Sequence, residues 1–193
     1  IAYSEDFTNA IFTKERASIT ANSVTAPNGV QTADTITEDS TATSTHRWYF
    51  NSMTMANGST YTASIYAKAG TRSAVALEIW NGSTAKYCYA DLSNGTVISG
   101  SDASATVTSV GSGWYRLTVQ HTGAGNSGSG SSLYLMPAAA ANVTYTGNGT
   151  GNAYIWGAQI ALTTESAFLY LPTNGAAVAA GATYLGQDKS LGS

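Results

Sequence analysis

Few side chains in this sequence are of the kinds that do chemistry, and their spacing argues against a reaction centre. There are two histidines, His46 and His121, and one cysteine, Cys88. Nucleophilic catalysis needs Ser, Cys or Thr beside a base, with a third group orienting that base. No Gly-x-Ser-x-Gly elbow, His-Glu-x-x-His pair or Gly-x-x-x-x-Gly-Lys loop occurs. His121 closes a strand beside a Gly/Ser loop and reads as a hydrogen-bonded strand-end histidine. His46 adjoins Arg47 and Trp48 with no nucleophile at a recognisable spacing. A single thiol closes no internal disulfide and makes no zinc site or redox pair. Cys88, between Tyr87 and Tyr89, reads as a small buried hydrophobe.

Carboxylates are the remaining route to catalysis, because glycoside hydrolysis uses two of them across the scissile bond. Among the eleven acids, Glu5-Asp6 and Glu38-Asp39 are adjacent. Neighbouring strand residues point to opposite faces, so neither couplet makes an acid/base pair. The pattern Glu-x-Asp-x-x-Glu is absent. One lone strand-centre acid, Glu78, suits hydroxyl recognition better than hydrolysis. The expectation is a protein with no catalytic residues, no metal ligands and no enzyme activity. Five Asn-x-Ser/Thr sequons, at Asn57, Asn81, Asn94, Asn142 and Asn148, follow from the composition and do not establish glycosylation.

The elements that must position these residues are strands. Asn-Gly occurs six times, at Asn28, Asn57, Asn81, Asn94, Asn148 and Asn174, and both residues tolerate the positive φ of tight hairpins. Between these turns, segments 60–69, 73–81, 84–92, 113–122, 131–137 and 152–162 are rich in Thr, Val, Ile, Tyr and Trp. Weaker strands are expected over 17–25, 31–37 and 43–51. Apolar residues nowhere keep a helical spacing over a helical length. Residues 122–132 read as a flexible Gly/Ser loop. Residues 1–172 read as one domain, and 173–193 as a small-residue tail or linker.

Strand parity separates core from surface. Tyr61, Ala63, Ile65 and Ala67 share one face, as do Val75, Leu77 and Ile79. Cys88, Ala90 and Leu92 form a third inward set, and Tyr115, Leu117 and Val119 a fourth. Facing out are Tyr66, Lys68, Glu78, Trp80, Tyr87, Tyr89, Trp114, Arg116 and Gln120. Large aromatics on a polar face gain little unless something covers them. A loop or a neighbouring subunit can do this. So can a sugar, whose C–H face stacks on the ring while amides, carboxylates and guanidiniums bond its hydroxyls. Trp80, Tyr87 and Tyr89 are the expected stacking platforms, with Tyr66, Glu78, Arg116 and Gln120 as hydrogen-bonding partners. In the last strand, Trp156 shares parity with Ile160, which points it toward the core.

Composition narrows the partners. Only 10% of residues are charged, against roughly 25% in an average domain. Ser, Thr, Asn and Gly supply 82 of the 193 residues, while a hydrophobic fraction of 43% still allows a substantial core. Net charge is −3, pI about 5.2, and the eight basic residues are scattered. No basic stripe exists for nucleic acid. No apolar run approaches the roughly 20 residues of a membrane span. From the start at Ile1, without a signal-peptide pattern, the expectation is a fragment or processed product.

Five blocks resemble a recurring carbohydrate-binding-like domain of bacteriophage tail and head-fibre proteins. They are residues 3–9 (Tyr-Ser-Glu-Asp-Phe-Thr-Asn), 61–70 (Tyr-Thr-Ala-Ser-Ile-Tyr-Ala-Lys-Ala-Gly), 90–97 (Ala-Asp-Leu-Ser-Asn-Gly-Thr-Val), 110–117 (Val-Gly-Ser-Gly-Trp-Tyr-Arg-Leu), and 154–160 with 170–173. That domain is similar to the family 4 and 9 carbohydrate-binding modules. The resemblance implies an all-β, antiparallel jelly-roll sandwich, concanavalin- or galactose-binding-like, of about 9–11 strands. It also implies non-catalytic polysaccharide binding across a concave sheet at a virion surface, and adhesion to a host. Partners would be a polysaccharide or cell-surface glycan, and sister copies in a trimer or other virion proteins. Structural decoration, with the aromatics buried between subunits, is the alternative. Those modules often hold calcium between an N-terminal acid and an Asp of the last strand. Here Glu5 and Asp6 stand at one end, but 154–160 offers Trp and Gln where the Asp would fall. No cofactor is therefore expected, unless backbone carbonyls supply the oxygens.

Overall fold

A computed structural model of the chain describes residues 1–163 and 170–176. Twelve strands follow in order: β1 Thr13–Glu15, β2 Ala17–Val24, β3 Ala33–Glu38, β4 Arg47–Met53, β5 Thr60–Ala69, β6 Ala74–Trp80, β7 Ala85–Asp91, β8 Thr96–Val97, β9 Thr106–Gly111, β10 Trp114–Thr122, β11 Ser129–Met136 and β12 Asn152–Leu162. They form two antiparallel six-stranded sheets that pack as a jelly-roll sandwich. The first sheet runs β1-β4-β11-β6-β7-β8 and the second β2-β3-β12-β5-β10-β9. The count exceeds the expected range by one, because β1 and β8 are too short to show a period. β9, an edge strand, is mostly Thr, Ser and Val, with little apolar alternation.

Within 60–69, 73–81, 84–92 and 113–122, every residue assigned inward by parity lies in the core between the sheets. Ile65, Ala67, Val75, Ile79, Cys88, Ala90, Leu117 and Val119 are fully buried, and Tyr61 and Tyr115 pack at its margin. Burying each large aliphatic here stabilises the fold by roughly 1.5–3 kcal/mol relative to exposure. Phe7, Phe12 and Trp48 close one side of the core as a mutually tilted trio, with ring centroids 5.1–5.5 Å apart. The glycines of all six Asn-Gly pairs take positive φ, as the turn reading requires.

Two backbone features depart from the expectation. β11 begins at Ser129, inside the stretch read as a loop, and is buried along its whole length. Gly130 permits this: a Cβ there would stand 1.7 Å from the Phe50 carbonyl oxygen, so only glycine lets β4 approach so closely. In β12 the register against β5 shifts between Trp156 and Gln159, around Gly157 at φ 64°. The extra residue is a β-bulge, and it reverses parity beyond it. Ala158 and Ile160 therefore enter the core, while Trp156 turns to the outer face, not inward.

Residues 173–175 remain bound to the domain. Asn174 bridges Tyr3, the Gly175 N–H donates to Ala2 O at 2.8 Å, and Thr173 Oγ1 donates to Ile1 O at 2.9 Å. The expected tail beyond residue 176 lies outside the described residues.

Candidate functional site

The outward residues form two clusters on opposite sides of the sandwich. On the first sheet, cross-strand pairing aligns Glu15, Arg47, Tyr134, Ala76 and Tyr89 in one row, and Thr13, Tyr49, Ser132, Glu78 and Tyr87 in the next. Trp80 follows Glu78 two residues along β6, on the same face. Ala76 puts only a methyl group between Tyr134 and Tyr89 in the first row.

Glu78 organises this face. Its carboxylate accepts from Tyr87 Oη at 3.1 Å, Ser132 Oγ at 2.6 Å and Tyr134 Oη at 2.8 Å. Arg47 Nη1 stands 3.8 Å from Glu78 and donates to Tyr134 Oη, while Arg47 Nε donates to Glu15 at 2.7 Å. The guanidinium also lies over the Tyr49 and Tyr134 rings, at 4.7 and 5.0 Å from their centroids. It is thus held by stacking and by charge-assisted hydrogen bonds together. Burial, and then the neighbouring Glu78 charge, push the Tyr87 phenol up to about 12 and those of Tyr89 and Tyr134 upward. All three are neutral at ordinary pH.

Tyr87 and Tyr89 stack on each other, centroids 5.3 Å apart and planes 13° from parallel. Both rings, and Trp80, are half-buried. Because the two tyrosines face one another, the pair presents outer faces and edges to solvent, with Trp80 beyond Tyr87 along the sheet.

The second sheet holds the rest of the expected set, so the seven residues do not form one site. Tyr66 is 7% exposed and packs on Trp156 and Tyr170, at centroid distances of 5.2 and 5.8 Å. Trp114, also outward by parity, is sealed at 1% exposure with its indole N–H donating to Thr25 O. Trp156 donates to Thr32 Oγ1 at 3.1 Å. These aromatics are covered by the loop after β2 and by Tyr170, whose hydroxyl bonds Ser4 and Glu5. Arg116 reaches Ser64 Oγ at 3.4 Å on this same side, and Gln120 stands four residues further along β10. Tyr66, Arg116 and Gln120 are separated from Trp80, Glu78, Tyr87 and Tyr89 by the full thickness of the sandwich. Parity identifies outward residues but not which sheet a strand joins, and that is why one list mixed two faces.

Arg47, Tyr49, Ser132 and Tyr134 belong to the first face and were not singled out from the sequence. Alternation in β4 puts Trp48 and Phe50 opposite Arg47 and Tyr49, so half of the signal was present. The missing half was the pairing of β4 and β6 on either side of β11.

The histidines and the cysteine serve structure. His121 Nε2 lies 3.0 Å from Thr84 Oγ1 and 3.1 Å from Thr84 O. Buried His46 has Nδ1 2.9 Å from Arg16 O. Burial pushes the Cys88 thiol up to about 12. The residues present do not fit a calcium ion where the resemblance would put one. Glu5 accepts from Tyr170, Asp6 from Thr8, and Gln159 Oε1 from the Leu171 N–H. The nearby carbonyls of Thr8, Asn9 and Phe12 already surround the Lys14 ammonium at 2.8, 2.9 and 3.0 Å. Among the described residues no group of three or more His, Cys, Asp or Glu side chains can hold a metal.

No protein-family model and no curated protein matches the chain. Among solved structures it is similar to the bacteriophage CBA120 tailspike protein 4 enzymatically active domain, at 12% identity and TM-score 0.48, over 83% of this chain and 20% of that one. This chain thus spans a fifth of that tailspike chain. It is similar to the CBM22-1 xylan-binding domain from Paenibacillus barcinonensis Xyn10C at 13% identity and TM-score 0.45, over 83% and 91% of the two chains. A CBM4 structure matches at 16% identity and TM-score 0.40, over 81% and 82%.

Proposed function

We propose that this chain is a non-catalytic carbohydrate-binding domain and that the outer face of the first sheet is its binding surface. The observation that carries this is the stacked Tyr87–Tyr89 pair with Trp80, half-buried above a hydrogen-bonded polar network, with loop residues Ile98 and Val143 packed on the neighbouring Ala74, Ala76, Tyr134 and Met136. The corresponding aromatics on the second sheet are sealed, so the contrast is internal to the molecule. A pyranose places its C–H face on an aromatic ring, here Trp80 or the free face of a tyrosine. Its hydroxyls meet Tyr87 Oη, whose proton is already committed to Glu78, and the exposed edge of Arg47. Glu78 therefore acts by orienting the phenols and the guanidinium.

Charge points to the ligand class. Glu15, Glu78 and Asp91 share this face with Arg47, Arg16 pairs with Glu15 at its edge, and both guanidiniums are already paired, which leaves the acids in excess. An acidic polymer would meet net repulsion, so the ligand is a neutral polysaccharide. On a virion, many weak copies of such a domain would hold the particle to its host or to environmental polysaccharide by avidity. The five blocks of resemblance to phage fibre domains support that setting.

Retardation in affinity gels containing neutral polysaccharides tests the reading. Trp80→Ala is expected to abolish retardation while thermal stability shifts by no more than about 2 °C, as for a surface substitution. No retardation in any such gel, together with a stable trimer that covers Trp80 and Tyr89, would replace this reading with virion decoration.

A further inference from the structure

A cavity of about 240 Å³ opens on the opposite side of the molecule, with Lys68 beside Thr25, Pro27, Val110, Ser112 and Trp114 in its lining. It lies between the β2–β3 loop and the β9–β10 hairpin. Lys68 is the penultimate residue of β5, paired with Trp114 on one side and Tyr154 on the other. Among the described residues it is the one lysine or arginine that makes no hydrogen bond or ion pair. No acid lines the cavity. The Thr25 and Ser112 hydroxyls likewise make no hydrogen bond among the described residues. Ser112 is held at φ 53° beside Gly113, a position where Asn or Gly is the usual choice. Gly113 follows at φ 78°, a conformation that L side chains rarely adopt.

We infer that this cavity is a second subsite that takes a single uronic-acid residue of a glycan, with its carboxylate on the Lys68 ammonium. This cavity is separate from the face of the first sheet, on the other side of the sandwich. An uncompensated cation beside a low-dielectric wall selects one negative charge. Apolar Pro27 and Val110 suit the C–H groups of a sugar ring better than a bare oxyanion. The two hydroxyl side chains suit its hydroxyls. The volume is below the roughly 300–1,000 Å³ of typical ligand sites, so one ring fits and a run of rings does not.

Titration of the isotope-labelled protein with D-galacturonate, D-galactose, acetate and inorganic phosphate, followed by NMR, tests this. Galacturonate should give saturable shifts at the Trp114 indole and residues 110–113, weakening with added salt. Galactose, acetate and phosphate should each bind at least about tenfold more weakly, the scale of one charge-assisted hydrogen bond. Lys68→Gln should lose about tenfold in galacturonate affinity and Lys68→Arg should retain it. Trp80→Ala should leave galacturonate binding unchanged, which separates this site from the first face. The proposal falls if galacturonate gives no saturable shift or if Lys68→Gln binds as well as the parent. It also falls if acetate or phosphate binds as tightly, or if Trp80→Ala removes the binding.

Discussion

The Tyr134 hydroxyl donates to the Glu78 carboxylate over 2.8 Å and accepts from Arg47, so one phenol oxygen couples an acid on β6 to a base on β4. Both of its hydrogen-bonding roles are used inside the protein. Tyr134→Phe would remove a bond from each partner without changing the ring. The expected loss is about 1–2 kcal/mol, the cost of leaving a buried polar group short of a partner. Denaturant unfolding measures it, and an unchanged midpoint would show that the network does not depend on this hydroxyl.

The two aromatic faces should respond in opposite ways to truncation. Tyr66→Ala opens a void beneath Trp156 and Tyr170, and about 3 kcal/mol of stability should be lost. Trp80→Ala should cost little stability and all of the gel retardation. Measuring both properties on both variants gives four values. Equal melting temperatures for the two variants would contradict the assignment of one face to structure.

Acid should weaken the fold through Glu38. Its side chain is fully buried beside Arg72, with Nε–Oε2 at 3.0 Å, and also accepts from the Tyr145 hydroxyl and the Asn148 N–H. Burial alone pushes this carboxyl up. The hydrogen bonds and the guanidinium charge outweigh it, so the carboxyl titrates below its ordinary 4.5. Asp102 is held at about 2, chiefly by hydrogen bonds from the Ser104 hydroxyl and amide. Between folded and unfolded titration points the unfolded chain binds more protons, so stability is lost there as the pH is lowered. It should be complete above about pH 5 and decline progressively toward about pH 2. Melting temperature against pH reads this directly, and Arg72→Met should flatten the upper part of the decline. A profile that stays level to pH 2 would refute it.

Cys88 should be inert in the native protein. Its thiol is fully buried and raised to about 12, so almost no thiolate exists at neutral pH. A disulfide reagent should label it only in denaturant. Rapid labelling of the folded protein would mean that β7 opens locally.

Much of this was readable from single residues. Alternation along 60–69, 73–81, 84–92 and 113–122 separated core from surface correctly at every assigned inward position, because a half-buried strand must place apolar groups every second residue. The roles of Cys88 and His121 followed from parity and from what was missing around them. Trp156 was misplaced because one residue, Gly157, adds a bulge that periodicity does not announce. The 129–130 segment read as loop because its strand position depends on backbone contact with Phe50, not on side-chain pattern.

By itself, the sequence determined an all-β sandwich with a weakly charged surface, which residues turn inward, and the lack of any familiar reaction motif. These are local properties, set by alternation, turn chemistry and composition. Which outward residues stand together was decided only by the tertiary structure. Sheet membership depends on long-range pairing: β11 lies between β4 and β6, and β12 between β3 and β5. That pairing gathered Arg47, Glu78, Tyr87, Tyr89 and Tyr134 into one network and left Tyr66 and Arg116 on the far side. It also brought the β2–β3 loop over Trp114, turning one of two similar aromatic faces into part of the packed structure.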